Sequence, residues 1–376
     1  MKTFDVYPLF DIEPVKAEGS FIWDQQGTRY LDLYGGHAVI SIGHTHPHYV
    51  KLLSQQLNQI GFYSNSVKIP LQDELAQKLG TLSGNNDYQL FLCNSGAEAN
   101  ENALKLASFH NKRKKIIAFT GSFHGRTSLA VAATNDTKIV APINENEHIV
   151  FLPLNDEATL KKNLTHEVCA VIVEGIQGVG GVHVANASFL QLMRKLCDET
   201  GAIMILDEVQ SGYGRSGYFF AHQHASVKPD LITVAKGMGN GFPVAGVLIS
   251  PNFEAKHGML GTTFGGSYLA CAAAIAVLDV LANEQLIGHS KFLGEYIIQQ
   301  LNNLPHVKEI RGMGLMIGIE LDQACAPIRT KLLKEHHVFT GASSNPNTLR
   351  ILPALNLHKR DADAFIQALS NVLNKL

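Results

Sequence analysis

Two short apolar runs in the middle of the chain each end in a residue that can do chemistry. Residues 202–206 (AIMIL) are closed by the carboxylates Asp207 and Glu208, and residues 231–235 (LITVA) by Lys236 and the glycine-rich GMGNG. Both runs are short for helices and read as strands buried on two faces, as in a parallel sheet. Open α/β sheets place ligands in the crevice beyond the C-terminal ends of such strands. Two parallel strands would therefore bring Asp207 and Lys236 to one site. A lysine amine can carry an aldehyde cofactor, pyridoxal 5′-phosphate, and an acid beside the pyridine nitrogen keeps that ring protonated and able to accept electrons. Taken singly, Asp207 reads more simply as a turn residue and Lys236 as a solvated lysine. The pairing is what points to chemistry.

The flanking segments must hold that pair in place. From Pro70 onward strand and helix patterns alternate, the sign of a doubly wound α/β sheet, with strands expected at 89–93, 115–119, 168–173 and 245–249. The first of these runs into Ser95, Gly96 and Ala97 at the head of a helix-forming stretch, ENALKLASFH. Free N–H groups and the positive end of a helix dipole suit a phosphate there, although Ser-Gly alone is also an ordinary cap. The run 168–173 leads into Glu174 and the loop GIQGVGG. Residues 212–217 (GYGRSG) match the dinucleotide-binding fingerprint. No long helix can follow, because GYFFAHQHASVKPD has polar breaks and a proline, so the match reads as accidental. His44, His46 and His48 lie two apart around Pro47, with no cysteine or acid at ligand spacing. They read as a structural turn before a helix, and no metal is expected.

A chain of 376 residues is long enough for a full core and two domains. With a formal charge of −2 and 17% charged residues it has no electrostatic footprint for nucleic acid or an anionic membrane. Its N-terminus lacks the apolar core of a secretory signal, and residues 268–282, its longest weakly polar stretch, are too few to span a bilayer. The five scattered cysteines read as reduced core residues of a cytoplasmic protein. The expected division is an arm of short strands (1–45), a large domain (46–265) and a small α+β domain (266–376) against which the arm packs. Helices are expected in the last of these at 268–284, 291–303, 327–336 and 360–373.

The run Asp207-Glu208-Val209 with Gly212, Asp230-Leu231 and Ala235-Lys236, together with NSGAEAN, resembles the signature of the class III pyridoxal-phosphate aminotransferases. The resemblance covers essentially the whole chain. It implies a fold-type I α/β enzyme with a seven-stranded, mostly parallel sheet. By resemblance, Lys236 holds the cofactor and moves the proton, while Asp207 faces the ring nitrogen. Ser95, Gly96 and Ala97 would cup the phosphate, and His124 would lie among the cofactor contacts. Phe123 and Val209 would cover the two ring faces, with Gln210 at the phenolic oxygen.

On the substrate side the same resemblance gives Arg126, Arg350, Glu174, Thr262 and His37. Arg126 would take the donor's carboxylate and Arg350 the α-carboxylate of 2-oxoglutarate, with Glu174 masking Arg350 while the donor is bound. His37 stands where ornithine-type relatives tend to carry a tyrosine. Thr263 would reach the phosphate of a neighbouring subunit, which implies a homodimer. The strings NSGAEANENALKLA and GTTFGG point to an N-acylated ornithine as donor, acetylornithine before succinylornithine. Two departures stand out: Gly175 and Val179 replace the family's usual proline and second acid, and Met259 and Leu260 interrupt its H-G-x-T-x-G-G element. An ornithine or 4-aminobutyrate donor remains open, as do an aminomutase, decarboxylase or racemase on this fold and a catalytically silent binding protein.

Overall fold

Seven strands form the central sheet of the computed structural model, which describes residues 1–376. In chain order they are β1 (Gln89–Cys93), β2 (Lys115–Phe119), β3 (Ile149–Leu152), β4 (Val168–Glu174), β5 (Ile203–Asp207), β6 (Leu231–Val234) and β7 (Ala245–Ile249). In space they lie in the order β1-β7-β6-β5-β4-β2-β3. Strand β7 runs antiparallel to both neighbours and every other pair is parallel. The sheet is therefore the seven-stranded, mostly parallel one expected.

Alternate residues of each strand enter opposite layers. Ile203 and Ile205 join a cluster with Ile172 and Ala118, while Met204 and Leu206 join another with Val173 and Phe119. Burial on both faces is why these strands are continuously apolar instead of alternating. Each such side chain contributes about 1.5–3 kcal/mol, enough to hold the strand ends firmly. Those ends are level: Asp207 lies in register with Glu174 on β4 and with Thr233 on β6.

The sequence reading left out β3, a short edge strand with half-buried residues. The helix expected from 291 starts earlier and spans Leu286–Leu301. A second sheet is built from Val307–Met313, Met316–Leu321, Gly341–Ala342 and Thr348–Ile351. The N-terminal strands Pro14–Glu18, Phe21–Asp24 and Arg29–Asp32 form a third, which Val338–Phe339 extends by pairing in parallel with Arg29–Asp32. The largest apolar cluster unites these C-terminal elements with the buried helix Tyr268–Asn283. No single helix is long and apolar enough to cross a membrane.

The histidine triplet makes three separate contacts. His44 binds Asp32 at 2.9 Å, His46 binds Glu284 at 2.8 Å and His48 binds Asp279 at 3.0 Å. The turn is thereby tied to both ends of its surroundings. All five cysteines are free and buried, and burial pushes the thiols of Cys93, Cys197 and Cys271 up to about 12.

Candidate active site

A cavity of about 360 Å³ opens beyond the C-terminal ends of β4, β5 and β6, with Glu174, Asp207 and Lys236 in its wall. Lys236 sits just past β6 with a backbone φ of 46°. Such a conformation costs a non-glycine residue about 1–3 kcal/mol and tends to persist where function needs it. No hydrogen bond or ion pair engages its amine. Burial holds the amine's pKa below that of a free lysine, with Arg350 and Arg215 adding to the effect and Asp207 and Glu174 opposing it.

Asp207 is held from three sides. Its Oδ2 accepts from His124 Nδ1 at 2.7 Å and from Asn100 Nδ2 at 2.8 Å, and its Oδ1 accepts from Val209 N at 3.0 Å. Thr233 Oγ1 in turn donates to Asn100 Oδ1 at 2.7 Å. The sequence reading singled out neither Asn100 nor Thr233. Their signals were a hydroxyl inside the apolar run LITVA and an amide within NSGAEAN. Both side chains are fully buried and polar, a state that requires partners.

At the other end of the cavity the helix Gly96–Asn111 points its first turn inward. Ser95 Oγ accepts from Glu98 N at 3.2 Å, and Glu98 Oε2 accepts from Asn94 N at 2.9 Å. The N–H groups at the helix start have no partner further back in the helix. Gly96 is there for a steric reason as well, because a Cβ would lie 2.6 Å from Val209 Cγ1. Ser95, Gly96, Ala97, Phe123, His124 and Arg126 all line this cavity, as do Val209 and Gln210. So do Asn94, Val39 and Val179.

Four expected residues stand outside that lining: His37, Thr262, Thr263 and Arg350. His37 and Arg350 connect to it through Gln210, whose Nε2 donates to His37 O at 3.0 Å and whose Oε1 lies 3.5 Å from Arg350 Nη1. The amide of Gln210 is thus directed at the protein on both sides. Burial, reinforced by Arg350, Lys236 and Arg126, lowers the pKa of the His37 imidazole. Thr262 Oγ1 accepts from Asn94 Nδ2 at 3.1 Å, and Thr263 is exposed.

Glu174, expected to mask Arg350 while the donor is bound, is held here by the backbone. Glu174 Oε1 accepts from Phe123 N and Oε2 from Gly178 N, each at 3.0 Å, so both oxygens are taken up by backbone donors. Burial nevertheless pushes this carboxyl up to about 7. Arg350 donates its Nε to Ala342 O at 2.6 Å and has no carboxylate within ion-pair distance. Arg126 likewise lacks an acidic partner.

Glu208 turns away from the cavity. It accepts from Ala221 N, His222 N, His222 Nδ1 and Ser211 Oγ at 2.6–3.0 Å. Gly175, in place of the usual proline, lets this turn close in: a Cβ there would come 3.1 Å from Ala221 Cβ.

An unpartnered, half-buried amine, a carboxylate held in register beside it and a helix N-terminus suit the aldehyde, pyridine nitrogen and phosphate of pyridoxal phosphate. The glycine at position 96 lets Val209 pack against that end. Comparison with known proteins decides the family: the profile described as "Aminotransferase class-III" matches residues 5–373. The chain belongs to the class III aminotransferases. This class III aminotransferase is a pyridoxal-phosphate-dependent transaminase. It is 40% identical to an acetylornithine aminotransferase of Bacillus subtilis, over 98% of this chain and 96% of that one. Identity is 39% to an acetylornithine aminotransferase of Caldanaerobacter subterraneus, over 99% and 97%. Among solved structures it is similar to acetylornithine aminotransferase from Elizabethkingia anophelis, with a TM-score of 0.87 at 30% identity over 100% and 96% of the two chains. It is also similar to ornithine aminotransferase from Toxoplasma gondii, with a TM-score of 0.92 at 28% identity over 99% and 93%.

Proposed function

We propose that this transaminase moves the distal amino group of an N-acylated ornithine, acetylornithine before succinylornithine, to 2-oxoglutarate. The observation that carries this reading is Arg126, a guanidinium without an acidic partner in the same cavity as Lys236. A planar fork of that kind binds a carboxylate bidentately. With the donor's α-carboxylate there, its distal amine is the one that meets the cofactor. The similarity to acetylornithine aminotransferases of two bacteria supports the N-acyl group.

Bound pyridoxal phosphate supplies an electron sink for the carbon that loses its proton. Lys236 takes that proton and returns it, as general base and then acid, and its lowered pKa suits the task near neutrality. Asp207 keeps the ring nitrogen protonated, and His124 and Asn100 keep Asp207 aimed. Ser95, Gly96 and Ala97 hold the phosphate, while Phe123 and Val209 flank the ring. Arg350 receives the α-carboxylate of 2-oxoglutarate.

Steady-state kinetics with 2-oxoglutarate as acceptor test the substrate. Acetylornithine should show the highest kcat/KM, with unacylated ornithine and 4-aminobutyrate lower by at least about tenfold, or roughly 1.4 kcal/mol. A preference for either unacylated donor would overturn the assignment.

The active unit in this reading is a homodimer, with Thr263 of each chain serving the other's site. Thr263 is exposed and lies next to Phe264, whose ring packs 5.2 Å from that of Phe62, and both aromatics are solvent-exposed here. Exposed apolar surface of this kind calls for a cover. Mixing Lys236→Ala with Thr263→Ala chains should restore up to about a quarter of the wild-type rate, because half of randomly formed dimers then carry one intact site. A fully active monomer in sedimentation would dispose of the dimer.

A further inference from the structure

The loop that carries Lys236 is gripped by a distant part of the chain. Asn240, buried and itself at a φ of 46°, uses its side chain three times. Its Oδ1 accepts from Ser41 N at 2.8 Å and from Ile42 N at 3.1 Å, and its Nδ2 donates to Gly43 O at 2.9 Å. Two further bonds reach the same loop from the same side. Ser41 Oγ donates to Gly237 O and Tyr49 OH donates to Gly239 O, both at 2.7 Å.

The gripping segment is itself anchored from behind. Leu355 N donates to Ser41 O at 2.7 Å and Asn356 Nδ2 to Ile42 O at 2.9 Å, while Arg215 Nη2 reaches Ile40 O at 3.3 Å. Residues 40–43 thus form a wedge between the C-terminal segment and the lysine loop. The wedge continues directly from Val39, which lines the cavity.

We propose that Asn240 is a positioning residue: its side chain clamps the lysine loop to the wedge and so fixes where the Lys236 amine stands. The physical reason is the backbone strain at Lys236. A residue held at positive φ relaxes unless its surroundings over-determine it. The two bonds within the turn, Met238 N to Ala235 O and Gly239 N to Lys236 O, are local and do not set the loop's place in the molecule. The three bonds of Asn240, with those of Ser41 Oγ and Tyr49 OH, do.

The proposal rests on Lys236 as the cofactor-bearing lysine, and its test is chosen to separate the two ideas. Asn240→Gly keeps, and even favours, the left-handed backbone while deleting the clamp. Asn240→Asp keeps the acceptor for Ser41 and Ile42 but loses the donor to Gly43. The holoenzyme of each variant is titrated with pH while the visible absorbance of bound pyridoxal phosphate is followed, and borohydride then marks the lysine that carries it. The expected result for Asn240→Gly is a shifted absorbance midpoint and a kcat lowered by about tenfold or more, with the KM for 2-oxoglutarate little changed. Asn240→Asp should fall between it and wild type. Hydrogen exchange at the Ser41 and Ile42 amides should accelerate in the glycine variant and stay slower in the aspartate one. An Asn240→Gly enzyme labelled at Lys236 with wild-type midpoint and kcat would overturn the clamp. Label at a different lysine would overturn the assignment of Lys236 beneath it.

Discussion

Replacing Lys236 by alanine should lower turnover by about 10⁴-fold, equivalent to roughly 5 kcal/mol of transition-state stabilisation. On the proposed assignment two losses combine in that variant: the amine that would carry the cofactor and the group that would shuttle the proton. The carboxylates in the cavity wall are committed elsewhere and offer no substitute. Glu174 accepts two backbone N–H groups and Asp207 accepts from His124 and Asn100. The cup at Ser95, Gly96 and Ala97 is untouched, so the variant should still bind pyridoxal phosphate by its phosphate end. In the wild-type protein borohydride should fix the pyridoxyl group on the peptide containing Lys236. Near-normal turnover by Lys236→Ala would sink the mechanism. Folding should not suffer, because removing this lysine takes away an unpartnered amine and relieves the cost of its desolvation.

Asp207→Asn should cost about 10²–10³ in kcat, roughly 3–4 kcal/mol, with binding of both substrates far less affected. The change is nearly isosteric, so the cavity keeps its shape while the charge proposed to face the ring nitrogen disappears. An amide cannot hold that nitrogen's proton as a carboxylate does. The variant also meets a hydrogen-bond conflict. Oδ2 of Asp207 now accepts from both His124 Nδ1 and Asn100 Nδ2, and an NH₂ group at that position would set donor against donor. An amide turned the other way would put its NH₂ against Val209 N instead. Some loss of stability should therefore accompany the loss of rate, visible as a lower Tm. Thr233→Val, one step removed, should reduce kcat less, because it frees Asn100 Oδ1 without touching the carboxylate. If Asp207→Asn retained turnover within a few-fold of wild type, the ring nitrogen would have to be served by another group.

The sequence by itself determined the sheet and which residues stand at its edge. Continuous apolar runs ending in Asp207, Glu174 and Lys236 state both where strands stop and what stands at their ends. Two-sided burial makes such runs legible without any neighbour. The helix start at Ser95 was legible for a similar reason: Ser95, its helix and the bond to Glu98 N lie within a few residues of one another. Strand β3 was not, since four residues at a sheet edge carry too little pattern. The helix at Leu286–Leu301 was misplaced at its start, where Gln285 enters it from a left-handed conformation without a side-chain cap.

Only the tertiary structure decided which polar groups meet. The support of Asp207 comes from Asn100, His124 and Thr233, which belong to three different segments, and no local pattern links them. Glu174 illustrates the limit most sharply. Its position at the end of β4 is written in the sequence, but its partner is not. A buried carboxylate takes the donors that converge on it, and here those are the backbone N–H groups of Phe123 and Gly178, not Arg350. The grip of Asn240 on residues 41–43 is of the same kind. Hydrogen bonds between segments so far apart in the chain follow from packing, and packing exists only once the chain has folded.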